Sequence, residues 1–130
     1  MKTIVAAGKR KRAIARAVLR EGKGFVRINS MLLDAYEPEL ARMKIMEPLI
    51  LAGDIAKGVN ISVNVNGSGW QSQAEASRLA IARALVMHNK KLKKTFLDYD
   101  RHLLISDVRF AEASKPNDSK PRKARQKSYR

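Results

Sequence analysis

The positive charge of this 130-residue chain is concentrated at its two ends, and that segregation limits where a core can form. Residues 1–30 carry nine Lys/Arg against one acid, and residues 115–130 carry seven against one. Residues 31–89 carry five against six and residues 90–114 six against four, so the middle is an ordinary near-neutral stretch. With 27 Lys/Arg and 12 Asp/Glu the net charge is +15. Solubility alone does not require such segregation. A charge of this size repels itself unless a counter-charge lies nearby, and the natural counter-charge is a polyanion. The two ends are therefore the candidate binding elements, and the middle must supply the core.

The length suits one domain, able to bury about two thirds of its unfolded surface. The absence of cysteine excludes disulfides, zinc–thiolate sites and cysteine nucleophiles, and fits an intracellular compartment. No run of roughly 18 apolar residues is present, so no membrane-spanning segment is expected. The apolar stretch near the N-terminus, Ile4 to Ala7, is too short for a signal peptide.

Residues 3–7 and 12–20 read as two strands joined by a basic turn around Gly8 to Lys11. In the second, Ala13, Ala15, Ala17 and Leu19 share one face, and Arg12, Arg16 and Arg20 share the other with Ile14 and Val18. Gly22-Lys23-Gly24 predicts a tight turn into a third strand, Phe25 to Asn29, which gives a basic antiparallel meander. Pro38 suits the first turn of a helix in which Leu40, Met43 and Met46 recur at three-residue spacing. Pro48 predicts a kink or two short helices up to Ala52, with Gly53-Asp54 as the stop. Val59, Ile61, Val63 and Val65 alternate with Asn60, Ser62, Asn64 and Asn66, the clearest strand of the chain. A long Ala-rich helix is expected over about Gln71 to Lys91, with Ala76, Ala80 and Ala84 in one row where small side chains let it lie close to a sheet. A short helical extension over 92–99 and a last short strand near Leu103 to Ser106 complete the reading. The fold class is α+β, with helices packed on one face of a mixed sheet. A globular RNA-binding domain is expected over residues 1–106 and an extended basic C-terminal tail over 107–130. Residues 115–130 have only Ala124 and Tyr129 as apolar side chains beside two prolines, too little to offset the entropy of ordering them.

Gly8-Lys9-Arg10-Lys11-Arg12 puts four consecutive cations on a turn, costly in isolation and favourable beside phosphates. With Arg16, Arg20 and Arg27 nearby, phosphate binding is favoured over a merely solvated tip. Gly67-Ser68-Gly69 fits two readings: backbone N–H groups presented to a phosphate, or a tight turn between strand and helix. It lacks the Gly-Lys-Ser/Thr ending of a nucleotide P-loop. Lys90-Lys91-Leu92-Lys93-Lys94 closes the long helix, where cations complement the helix C-terminus with or without RNA contact. His88 reads as a packed or rim residue. Asp98, Asp100 and Asp107 read as partners of local Arg and Lys and not as a metal set. No nucleophile–base–orienter set is found. Tyr129, close to Lys127 and Arg130, fits base or ribose stacking, or else a mobile residue at a frayed end.

Three blocks of residues resemble the small-subunit ribosomal protein family conventionally numbered nine. The first is Gly8-Lys9-Arg10-Lys11 with Ala13, Ala15-Arg16, Gly22 to Gly24 and Arg27-Ile28-Asn29. The second is Gly67, Gly69, Ser72-Gln73, Ala76, Ala80 and Ala82-Arg83-Ala84-Leu85. The third is Asp107, Arg109, Glu112 and Lys115, with the ending Gln126-Lys127-Ser128-Tyr129-Arg130 similar to the archaeal and eukaryotic branch. Two departures stand out: Ser68 replaces the middle of three glycines, and the tail has Pro116 to Pro121 in place of a Gly-Pro-Gly stretch. The resemblance implies a protein of the cytoplasmic ribosome, bound to ribosomal RNA in the head of the small subunit beside other head proteins. It implies a left-handed βαβ crossover like that of the second domain of ribosomal protein five, where a right-handed one is the default. From the charge pattern, the candidate ribosomal-RNA contacts are Lys9, Arg10, Lys11, Arg12, Arg16, Arg27, Lys90, Lys91, Lys115, Lys120, Arg122, Lys123 and Arg125. The resemblance further implies that the tail runs toward the peptidyl site, where Lys127, Tyr129 and Arg130 approach the bound tRNA. Sixteen extended residues reach up to about 50 Å, enough to fill an RNA channel closed to a folded domain. No catalytic residue, metal or cofactor is implied.

Two rival readings share the charge pattern. One is a free-standing DNA-packaging or nucleic-acid chaperone protein. The other is an enzyme on a related fold, a small-molecule kinase or an RNA-processing nuclease, against which the missing phosphate-loop and metal-ligand sets count.

Overall fold

Period-two alternation in three segments builds a five-stranded mixed sheet in the computed structural model, which describes residues 3–106. The strands are β1 (Ile4–Arg10), β2 (Ala13–Glu21), β3 (Val26–Ile28), β4 (Met31–Leu32) and β5 (Val59–Asn66), in the order β1-β2-β5-β3-β4. The helices are α1 (Glu39–Ala52), α2 (Asp54–Lys57), α3 (Trp70–His88) and α4 (Leu92–Tyr99), with single 3-10 turns at Leu33–Ala35 and Arg101–Leu103. The α+β class and the mixed sheet are as expected. Asp107 and the tail cations lie outside the described residues.

The core lies on one face of the sheet. Ala13, Ala15, Ala17 and Leu19 of β2 and Val59, Ile61, Val63 and Val65 of β5 are all buried there. Ala76, Ala80 and Ala84 of α3 and Ala41 and Ile45 of α1 cover them. The opposite phase of each strand, including Arg16, Arg20, Ser62 and Asn64, is exposed.

The first turn falls later than expected. β1 runs through Gly8 to Arg10, and Arg10 pairs with Ala13, leaving Lys11 and Arg12 as the hairpin turn. Gly8 is a contact residue, not a turn residue. A Cβ there would meet the Ala76 carbonyl oxygen and lie 2.7 Å from the Ala80 nitrogen, so its bareness lets α3 sit down on β1. Lys11 takes up the positive φ of the turn, at 53°.

The expected antiparallel meander is also replaced. β5 stands between β2 and β3, antiparallel to the first and parallel to the second. The reason is ladder length: β5 matches β2 from Ile14 to Glu21, whereas β3 supplies three residues. The 22–25 loop is carried past the start of β5 by hydrogen bonds from Gly22 N–H to the Gly58 carbonyl at 3.1 Å and from Ile61 N–H to the Phe25 carbonyl at 2.9 Å.

Pro48 does not break α1, which is one helix over Glu39–Ala52. Its buried stripe is Ala41, Ile45, Pro48 and Ala52, at helical spacing. Leu40 and Met43 of the expected stripe are exposed, because the face carrying Ala41, Ile45, Pro48 and Ala52 is the one turned to the core. Gly53, at φ 60°, stops α1, and α2 begins at Asp54. α3 ends at His88, short of Lys91, and α4 follows as expected. The strand expected near 103–106 is absent among the described residues. Asp100 Oδ1 accepts the His102 N–H at 2.9 Å and caps the 3-10 turn there, with Leu103 fully buried.

Candidate nucleic-acid interface

Strand register places the arginines. Arg16 lies opposite Asn64, Arg20 opposite Asn60 and Arg27 opposite Ser62, all in the exposed phase of the sheet. The face that the helices leave bare therefore carries three guanidinium groups among Ile14, Val18 and short polar side chains. Lys9, Lys11 and Arg12 extend this positive surface at the hairpin end, where all three are exposed.

Arg10 is different. Its Nε donates to Glu75 Oε2 at 2.6 Å, and its side chain is only 14% exposed. Lys44 Nζ reaches the other oxygen of Glu75 at 3.4 Å. Burial alone would raise the Glu75 pKa, but the hydrogen bond from Arg10 and the charges of Lys44 and Arg10 outweigh it and hold the carboxyl below its ordinary value. Arg10 thus ties β1 to α3. A second knot lies beside it: Arg78 Nη2 pairs with Glu47 and, at 3.0 Å, with Asp100. Burial also pushes Asp100 up, but the His102 N–H and the Arg78 guanidinium prevail and lower its pKa. Asp100 pairs with a cation as expected, but with Arg78, 22 positions back in the chain, and not with a local one; the described residues hold no cluster of three or more potential metal ligands.

The glycine turn touches the basic hairpin. A Cβ on Gly67, at φ 86°, would lie 2.5 Å from the Arg12 carbonyl oxygen. Ser68 adopts φ 58°, a strained value for a side-chain-bearing residue. Close approach and positive φ account for Gly67 as a tight turn. Two sequence motifs 55 residues apart thereby meet at one end of the sheet. Arg83 adds a clasp: its Nη1 donates to the Ala7 carbonyl at 2.9 Å and its Nε to the Leu104 carbonyl at 3.1 Å. Ser106 Oγ reaches the Lys9 carbonyl at 3.4 Å, so residue 106 sits beside the basic hairpin.

The lysine cluster is split by the end of α3. Lys90 and Lys91 follow its last turn, where Asn89 Oδ1 accepts the Lys91 N–H at 3.1 Å. Lys93 and Lys94 fall in the first turn of α4, which has no acid. That is the wrong end of a helix for a cation, so the helix dipole does not explain them. His88 is exposed, at the rim. Lys115, Lys120, Arg122, Lys123, Arg125, Lys127, Tyr129 and Arg130 lie outside the described residues. Sequence reading missed Phe25, half exposed on the bare face, although its alternation with Val26 places it in the same phase as Arg27.

A helix-backed sheet with one bare, arginine-bearing face and internally braced ion pairs defines a small basic α+β scaffold protein. A family model described as ribosomal protein S9/S16 matches residues 8–130. The chain is 50% identical over 132 residues to small ribosomal subunit protein uS9 of Desulfurococcus amylolyticus, spanning 100% of this chain and 94% of that relative. It is 48% identical over 134 residues to small ribosomal subunit protein uS9 of Methanococcus vannielii, spanning 100% of both. The chain belongs to the ribosomal protein S9/S16 family. It is accordingly a structural ribosomal protein similar to archaeal relatives, and not an enzyme. None of its described helices is long and apolar enough to cross a membrane.

Proposed function

We propose that this chain binds ribosomal RNA in the head of the small subunit through its basic hairpin and bare sheet face, and that its C-terminal tail runs toward the peptidyl-site tRNA. One observation carries the reading: Lys9, Lys11, Arg12, Arg16 and Arg27 gather on and beside the sheet face that none of the described helices covers. A shared positive surface is a favourable place for phosphates and a costly one without them. Lys90, Lys91 and their neighbours add a second cationic patch. Arg10 serves this surface by bracing the hairpin against α3 instead of touching RNA directly. Ser106 lies beside Lys9, which supports a globular domain over residues 1–106 and a tail over 107–130 that leaves from the RNA-facing side. Its cations Lys115, Lys120, Arg122, Lys123 and Arg125 line the RNA path, and Lys127, Tyr129 and Arg130 meet the tRNA. Neighbouring head proteins complete the setting. The link from β3 through α1 to the parallel strand β5 is proposed to have the left-handed crossover of this family.

The test is the salt dependence of binding between the full chain and a transcript of the small-subunit head RNA. At least five phosphate contacts are expected, so log K against log salt has a slope of about −3.5 or steeper. A slope near −1 refutes the reading. Equal affinity for an unrelated duplex of the same length favours the nucleic-acid chaperone alternative.

A further inference from the structure

A groove opens on the bare sheet face between the 22–25 loop and β5. Its volume is about 410 Å³, and Val18, Arg20, Phe25, Arg27, Asn60 and Ser62 line it. That is within the roughly 300–1,000 Å³ range of small-molecule sites. We propose that this groove holds one unstacked nucleotide base of the ribosomal RNA, with its ring on Phe25 and its flanking phosphates on Arg20 and Arg27.

The proposal rests on the RNA-binding reading above and gives it a specific contact. Phe25 is 51% exposed, and its neighbours Val26 and Ile28 are the residues of this segment that reach the core. An aromatic ring on the solvent side of the chain just before β3 offers a π-face that folding does not use. Bases splayed out of single-stranded RNA stack on such rings, and any base supplies the complementary face.

The backbone that carries the ring is held before a ligand arrives. Asn60 Oδ1 accepts the N–H groups of both Lys23 and Phe25, each at 3.0 Å. The Phe25 carbonyl accepts the Ile61 N–H at 2.9 Å. A Cβ at Gly22 would overlap the Asn60 side chain, so the loop closes on that amide only with glycine there. Binding therefore costs little ordering of the loop. With its oxygen committed, Asn60 offers its amide nitrogen, and Ser62 its hydroxyl, to a base edge.

Charge selects the class of ligand. Arg20, opposite Asn60, and Arg27, opposite Ser62, stand on opposite sides of β5; two strand spacings across and two residues along the strand put their backbones about 12 Å apart, and they bracket the groove. Glu21 is the one acid on its lining. An anionic ligand with an aromatic body fits this arrangement, and a nucleotide within a polyanion is that ligand.

The experiment measures affinity of the full chain for the transcribed head RNA at several salt concentrations, with Phe25→Ala, Phe25→Leu and Phe25→Tyr. Phe25→Ala and Phe25→Leu are each expected to weaken binding about 5- to 150-fold. Phe25→Tyr retains binding, and the salt slope is unchanged in all three because no phosphate contact is removed. Replacing Lys9, Lys11 and Arg12 together by Ala is run in parallel and is expected to flatten the slope. If that triple variant weakens binding while Phe25→Ala does not, the base site is refuted and the RNA-binding reading stands. If Phe25→Leu binds as well as Phe25→Tyr, no aromatic stacking is needed at this position and the base site is refuted. If neither set of variants changes affinity, the RNA-binding reading itself fails. Leu and Tyr both fill the position, so their comparison decides the matter even if Phe25→Ala lowers stability.

Discussion

Arg10 sits in a run of four cations, yet its replacement should behave unlike that of its neighbours. Arg10→Ala removes the 2.6 Å charge-assisted hydrogen bond to Glu75. Such bonds contribute about 1.5–3 kcal/mol when well shielded. Two features reduce that here: Glu75 is 35% exposed, and Lys44 remains 3.4 Å from its other oxygen. Discounting for solvent screening leaves a loss of about 1–2 kcal/mol. For a domain of this size that lowers the unfolding midpoint by about 4–15 °C. Arg12→Ala, in the exposed turn, should stay within about 0.5 kcal/mol of the parent. The pH dependence has a definite sign. Because the folded-state pKa of Glu75 lies below its ordinary value of 4.5, the stability it adds is fully present above that value and is lost as pH falls through the folded pKa. The gap between parent and Arg10→Ala should therefore be widest near neutral pH and should narrow as the pH falls below the ordinary value of 4.5 and on through the folded pKa. Thermal unfolding at a series of pH values reads both quantities, and a cycle with Glu75→Gln isolates the pairwise coupling. RNA affinity completes the comparison: Arg12→Ala should flatten the salt slope by about 0.7–0.9, and Arg10→Ala by less. Equal midpoints for the two variants, with equal losses of RNA binding, would refute the division of labour within the hairpin.

Gly8→Ala should destabilise the domain by about 1–3 kcal/mol or more, since its Cβ meets backbone atoms of α3 that cannot swing aside; a urea midpoint unchanged from the parent would contradict this. Removing Gln126 to Arg130 should leave the thermal midpoint of the domain in place, because Tyr129 is the one apolar side chain among the five. The same truncation should weaken tRNA at the peptidyl site of purified small subunits, by about 1.5–3 kcal/mol for each charge-assisted hydrogen bond removed, with a smaller effect from deleting Arg130 alone. Unchanged tRNA affinity together with failed subunit assembly would make the tail an assembly anchor instead.

What the sequence determined by itself was the face each strand residue would take. The Val59–Asn66 alternation and the Ala13–Leu19 row have a period of two, and steric alternation of Cβ atoms converts that into one buried and one open face without any knowledge of neighbours. Arg16, Arg20 and Arg27 could be placed on the open side for the same reason. Strand neighbours were not legible. That β5 enters between β2 and β3 depends on a pairing between residues 14–21 and 59–66, far apart in the chain, and no local pattern encodes it. The hairpin turn shows how small a difference matters. Moving it from Gly8–Lys11 to Lys11–Arg12 keeps β1 in register through Arg10, which brings that guanidinium to Glu75 while Lys9, Lys11 and Arg12 stay exposed. In α1 the apolar spacing of Leu40, Met43 and Met46 pointed to one stripe, and packing against the core chose another, through Ala41, Ile45, Pro48 and Ala52. The Phe25 groove likewise exists only because Asn60, 35 positions along the chain, folds the loop over β5. Periodicity is a property of adjacent residues and can be read along the chain; partners are set by which distant surfaces bury most against one another, and only the assembled structure decides that.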